Sequence, residues 1–381
     1  MPIIPKHISL NESTNNLYIL TNDITQTYIK VGEAEVQFLS SLYKNEENVN
    51  INFTSEQRQY LYENFKNLGF LSEEDSYNLM KRKSKSDLSR IYLLRKNPSK
   101  FFENNQWIYK GKHVSIILFL ISLLILAATF VFFLNIKTWS STVNLAEIDI
   151  KMFVIMYILI MLTLFIHEFA HALACYYFGG KVKEVGAMLL YMGLAFYCDV
   201  SSIYLFKKKS HRLLVLLAGI FSQLFLGAIA IIICYILFLK GFKIDLILYY
   251  IAFNFINILL NLSPVIKLDG YWILVQLTDV TNLREKSFKY ILSYTKNKYK
   301  SYRAMINKKE KKLFFVYGTI GVFGTYFTWL YSVYYLYRIS NKYLGNFGMY
   351  LVAGWLTVLI FHLARKFKKY TRLLKNDITY K

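Results

Sequence analysis

Phe165-Ile166-His167-Glu168-Phe169-Ala170-His171 closes a long apolar run, and its spacing organises the reading of the whole chain. On a helix, positions i and i+4 share a face, so His167 and His171 present two imidazoles side by side. Glu168 follows the first of them, within reach of a water held at the same point. This is the H-E-x-x-H arrangement, with two nitrogen ligands for zinc and a carboxylate placed as general base. The setting is unusual, because Met152 to Ile166 contains no charged residue and the apolar character resumes at Ala172. In a soluble helix such a match is often empty. Inside a membrane span, a His-Glu-His cluster without a partner costs several kcal/mol, which favours a metal site.

Composition places the motif in a membrane protein. The chain has 381 residues, 55% of them hydrophobic, and a mean hydropathy of +0.30, too apolar for an ordinary soluble domain. Its net charge of +22 would suit nucleic acid, but the distribution does not. Residues 1–80 carry 11 Asp and Glu against 5 Lys and Arg, so the basic excess lies wholly beyond residue 80, between apolar runs. Basic loops of that kind face the inner leaflet, and no nucleic-acid partner is expected. Cys175, Cys198 and Cys234 sit in apolar surroundings and do not form a disulfide pattern. The stretch from Met1 to His7 has no apolar core of signal-peptide length, so no cleaved signal is expected.

Residues 1–78 read as a small α+β domain. Leu17–Leu20 and Tyr28–Val31 are β-prone runs joined by a polar segment, which predicts a hairpin. Helical spacing follows over Ala34–Tyr43 and Ser55–Asn67, with Ser55 as the expected cap and Gly69-Phe70-Leu71 as a closing strand. The order resembles a winged helix of the PqqD-like type, which binds the leader of a ribosomally made peptide along a sheet edge. A DNA-binding winged helix is disfavoured by the acidic balance. A cap with no ligand is the plain alternative. Residues 79–112 are rich in Lys and Arg, with Phe101, Phe102 and Trp107 among them, and read as a basic juxtamembrane connector.

The remainder, 113–381, predicts six membrane spans: Val114–Ile136, Met152–Phe178, Leu213–Leu239, Leu246–Leu262, Leu313–Tyr337 and Tyr343–Ala364. Loops 81–112, 179–212, 283–312 and 365–381 each hold six or more Lys and Arg, against two each in 137–151, 240–245 and 338–342. The positive-inside rule then puts both termini in the cytoplasm of a multi-pass cell-membrane protein. About 15 residues of the second span, at roughly 1.5 Å each, carry it ~22 Å inward from Met152 before His167.

Two histidines do not complete a catalytic zinc site, which takes three protein ligands and an open position. Asp269, in Asn261-Leu-Ser-Pro-Val-Ile-Lys-Leu-Asp-Gly270, is the best third candidate. Pro264 would break the helix, and Gly270 would allow a tight turn aiming Asp269 back at the imidazoles. Asp199, Cys198 and Cys175 remain alternatives from the residues alone.

His167-Glu-Phe-Ala-His171, followed about a hundred residues later by Asn261-Leu-Ser-Pro264 and Leu268-Asp269-Gly270, resembles the site-2 protease family of intramembrane zinc metalloproteases, whose pattern is HExxH and then NxxPxxxxDG. The resemblance covers about 151–280 and is nearest to the YydH-like branch of peptide zinc metalloproteases, encoded with small secreted peptides. It implies one zinc per chain held by His167, His171 and Asp269, Glu168 as base, and Asn261 near the scissile backbone, with Pro264 and Gly270 beside it in the substrate site. The 179–212 loop is too short for the PDZ domain that some members insert, which leaves residues 1–78 as the selector. The expected substrate is a small precursor peptide, with a peptide-modifying enzyme or an exporter as further partners. The alternatives are regulated proteolysis of a membrane-anchored signalling factor, or a non-catalytic export or immunity protein.

Overall fold

In the computed structural model, the described residues are 5–44 (except 6, 13–16 and 26), 53–84, 90–142, 149–294 (except 191–192), 300–344 and scattered positions between 350 and 371. They form two compact units, residues 1–52 with 61–276 and residues 53–60 with 277–381. The fold is mostly helical, with a small sheet near the N-terminus and, among the described residues, four helices long and apolar enough to cross a membrane.

The expected hairpin is present. β2 (Leu17–Asn22) and β3 (Thr27–Gly32) pair antiparallel, and β1 (Ile8–Glu12), which the sequence did not announce, pairs with β2 on the other side. Helix α1 (Glu33–Lys44) follows directly and packs against β3 and β2. Helix α2 (Ser55–Asn67) begins where expected, but its cap is Thr54 and not Ser55. Thr54 Oγ1 accepts from the Gln57 amide at 3.3 Å while Gln57 Oε1 accepts from the Thr54 amide at 3.1 Å, a reciprocal capping box. No closing strand forms at Gly69-Phe70-Leu71. Gly69 takes a left-handed φ of 75°, which ends α2, and Phe70 is buried with its carbonyl bonded to the Tyr43 hydroxyl. Helix α3 (Glu73–Ser84) comes next. Asn22 ties this turn to the sheet, donating to the Gly69 carbonyl at 2.6 Å and to Ser76 Oγ at 2.9 Å.

The basic connector is structured. β4 (Arg90–Lys96) joins β5 (Val185–Leu190) and β6 (Gly193–Cys198) in an antiparallel sheet of order β4-β5-β6. Arg95 forks onto Glu184 with 2.7 and 2.8 Å bonds, and the Tyr197 hydroxyl donates to the same carboxylate. Arg95 also lies over the Tyr92 ring, 4.7 Å from its centroid. Helix α4 (Ser99–Asn104) follows, and its Phe102 is fully buried, stacked on Tyr176 at 4.2 Å and near Phe169 at 5.7 Å. Part of the segment read as a basic juxtamembrane connector is therefore built into the core, where Phe102 covers apolar area on the neighbouring helix.

Four long helices follow: α5 (Lys112–Thr142), α6 (Ile150–Tyr177), α7 (Lys209–Leu239) and α8 (Asp245–Leu262). They coincide with the first four expected spans. Phe119, Phe130, Phe133 and Leu134 of α5 are each more than 60% exposed, a cost in water that disappears against lipid. Asp149 caps α6, accepting from the Met152 amide at 2.6 Å. Thr163 and Tyr250 hydroxyls meet at 2.8 Å and join α6 to α8. Helix α8 stops at Leu262, two residues before Pro264. After an irregular stretch, α9 (Asp269–Thr278) begins on Asp269 itself.

The second unit holds α10 (Leu283–Leu292), α11 (Lys300–Met305) and α12 (Lys308–Leu344). The fifth expected span lies within α12. Half of the sixth, over 343–364, falls outside the described residues.

Candidate metal centre

His167 and His171 lie one turn apart on α6 and are both about 97% buried. Their rings stand at 86° to one another, with the Nε2 atoms 3.1 Å apart. Asp269, 98 residues beyond His171, brings Oδ2 to 2.9 Å from His167 Nε2 and 3.3 Å from His171 Nε2. Among the described residues this is the one group of three or more potential metal ligands, its three donor atoms lying within 4.8 Å of one another.

The donor chemistry fits a cation. His171 Nδ1 sits 2.7 Å from the Val215 carbonyl, which can only accept, so Nδ1 carries the ring hydrogen and Nε2 presents a lone pair. That lone pair faces a carboxylate oxygen and a second imidazole nitrogen. A cation among these atoms relieves their repulsion, as does a hydrogen on His167 Nε2 donated to Asp269 when no ion is bound. Zinc bonds of about 2.0–2.1 Å in a tetrahedron place ligand atoms roughly 3.3–3.4 Å apart, close to the three separations found.

Room for the imidazoles comes from Gly219 on α7. A Cβ there would lie 2.5 Å from His167 Cε1 and from His171 Nε2, so the glycine forms the floor of the site. Gly270 has a different role from the one the sequence suggested. It has no left-handed φ and makes no tight turn; it is the second residue of α9. A side chain at 270 would run into the Leu262 carbonyl, so this glycine lets α9 press against the end of α8.

Glu168, next to His167 on α6, lines a cavity of about 240 Å³. It accepts a backbone hydrogen bond from Cys198, the last residue of β6. The cavity is also lined by His171, Cys198, Asp199, Tyr204, Asp269, Trp272 and Gln276, among others, so polar side chains and two members of the ligand cluster open onto it. Asp199 accepts from the amide and hydroxyl of Ser201 and takes no place in the ligand cluster. Cys175 is buried 3.3 Å from Ser202 Oγ, also outside the cluster. Asn261 is buried and donates to Gln223; Pro264 is exposed; neither they nor Gly270 line the cavity. Sequence reasoning missed the Cys198 amide, Val215 carbonyl and Gly219, since backbone groups and an unremarkable glycine carry no motif.

The N-terminal sheet reaches this region. Lys183 Nζ donates to the carbonyl of Thr25, in the β2–β3 turn, at 3.1 Å, and Lys183 itself bonds through its amide to the carbonyl of Asp199 on the cavity wall. No protein-family model, curated protein or solved structure matches the chain.

Proposed function

We propose that this chain is a zinc metallopeptidase of the site-2 protease type, working within the membrane on a small precursor peptide. The observation that carries the reading is the convergence of His167, His171 and Asp269 among membrane-length apolar helices, with His171, Asp269 and Glu168 opening onto one cavity. Zinc, when bound, would act as Lewis acid and bring the pKa of water toward neutrality. His167, His171 and Asp269 would hold it, His171 fixed in its tautomer by Val215.

The chain's own groups then divide the work. Glu168 takes the proton of the attacking water and returns it to the leaving amine. Its carboxylate is held for that task by the Cys198 amide, so the position of β6 sets the position of the base. Asp199, Tyr204 and Gln276 give the cavity polar walls that keep water beside Glu168. The substrate has to be extended there, which favours a short peptide over a stable helix.

The N-terminal residues supply selection in this reading. A leader held on the β1-β2-β3 sheet would be tethered close to the cavity wall through the Thr25–Lys183 contact, raising its local concentration toward millimolar. Both termini would be cytoplasmic. The test is cleavage, by purified protein in lipid, of short precursor-like peptides carrying an extended segment. Zinc-dependent cleavage that the Glu168→Gln protein lacks is expected. Equal, chelator-insensitive activity in both proteins would overturn the proposal.

A further inference from the structure

Three carboxamides lie buried between α7 and α8 and have no part in the chemistry above. Gln223 is fully buried, Asn254 is 2% exposed and Asn261 is 9% exposed. Asn261 Nδ2 donates to Gln223 Oε1 at 3.0 Å, and Asn254 Nδ2 donates to the Gln223 backbone carbonyl at 2.9 Å. In an apolar bundle, leaving such a group unpaired costs about 1–3 kcal/mol, so the Gln223–Asn261 pair strongly favours one arrangement of the two helices.

That arrangement bears on the ligand cluster from two sides. Gln223 lies four residues beyond Gly219 and on the same face of α7, and Gly219 is the surface on which both imidazoles rest. Asn261 lies in the last turn of α8. Its carbonyl and that of Leu262 are the atoms a side chain at Gly270 would meet, and Asp269 is the adjacent residue. One side-chain hydrogen bond therefore joins the helix under His167 and His171 to the helix end against which the third ligand is seated. Between Leu262 and Asp269 the chain is irregular, with no helix of its own to fix the carboxylate.

We propose that Gln223 is a positioning residue that acts through Asn261 to set the separation between the His pair and Asp269. The inference rests on the metal site proposed above. It assigns Gln223 no contact with metal or substrate. Asn254, which bonds the Gln223 backbone and not its side chain, serves as an internal control.

The experiment uses the full-length protein in lipid nanodiscs, loaded with cobalt(II), whose visible bands report coordination geometry. Gln223→Met keeps the length and packing of the side chain but removes the acceptor; Asn261→Ala removes the donor. Both are expected to bind cobalt about 10–100-fold more weakly than the parent, with altered bands, the range seen when groups supporting metal ligands are lost. Gln223→Glu, which keeps an acceptor oxygen, should recover the parental bands, and Asn254→Leu should leave them unchanged. Parental affinity and bands in both Gln223→Met and Asn261→Ala would overturn the positioning role while leaving the metal site standing. Equal disturbance by Asn254→Leu would make the effect one of general packing and also overturn it. A parent protein that takes up neither cobalt nor zinc would overturn the site itself.

Discussion

The Asp269 carboxylate lies 3.3 Å from His171 Nε2 although 98 residues separate them. Two rigid helices, α6 and α9, carry these groups, so their contact is set by the packing of whole elements. Removing one of the cluster's members should leave too few ligands for a tightly held ion. Purified His167→Ala and Asp269→Ala proteins are each expected to lose stoichiometric zinc by elemental analysis, with helical content unchanged. Full occupancy in either would exclude that residue as a ligand.

Glu168→Gln is expected to keep the metal and lower peptide cleavage by about 10²–10⁴-fold, the usual share of a general base. A neutral amide can still receive the Cys198 hydrogen bond, so the fold around β6 should not change. Undiminished turnover would move the base to another cavity carboxylate, with Asp199 next in position.

Gly219→Ala sets two effects against each other. Alanine is the better helix former by about 1 kcal/mol, but its Cβ would press on both imidazoles. The steric term should dominate at the site, because both rings are buried and face Asp269, and that of His171 is also bonded to the Val215 carbonyl. The expected result is weaker zinc binding by calorimetry at unchanged or raised thermal stability. Parental zinc affinity would show that the imidazoles can move aside freely.

Acid should loosen the connector strand. Hydrogen bonds from Arg95 hold the Glu184 carboxyl below its ordinary range, burial opposes them, and Tyr197 adds a further bond. A carboxyl depressed in the folded state stabilises above the ordinary value of about 4.3, and the gain is lost as pH falls through the depressed one. Arg95 is half exposed, so the ion pair adds no more than the ~0–1 kcal/mol of a surface bridge. The protection of the Arg90–Lys96 amides, taken as the ratio of intrinsic to observed exchange at each pH, should therefore fall on moving from pH 6 to about pH 3, and less so in Glu184→Gln, which has already lost the charge. Identical acid sensitivity in the two proteins would place the loosening elsewhere.

If the N-terminal sheet delivers the substrate, deleting residues 1–78 should slow processing of the full precursor by a factor near the local concentration advantage, up to about 10²–10⁴. Zinc content and cleavage of a concentrated truncated peptide should stay close to parental. Equal processing of the full precursor by both proteins would assign recognition to the cavity.

The sequence by itself determined what depends on local periodicity. Four residues of helix put His167 and His171 on one face wherever the helix lies, and apolar runs of span length marked α5 to α8. Pro264 likewise announced the end of α8. Tertiary structure decided everything that requires distant segments to meet. It chose Asp269 over Asp199, Cys198 and Cys175, because α9 docks on the end of α8 through Gly270, while Asp199 is turned toward Ser201 and Cys175 toward Ser202. It drew Arg90–Lys96 out of an apparent linker into a sheet, since an exposed edge on β5 offered backbone partners that a basic composition could not advertise. It also gave Glu168 its partner in a backbone amide. An amide is present at nearly every residue, so no pattern of side chains could single out the one on Cys198; packing of β6 against α6 does.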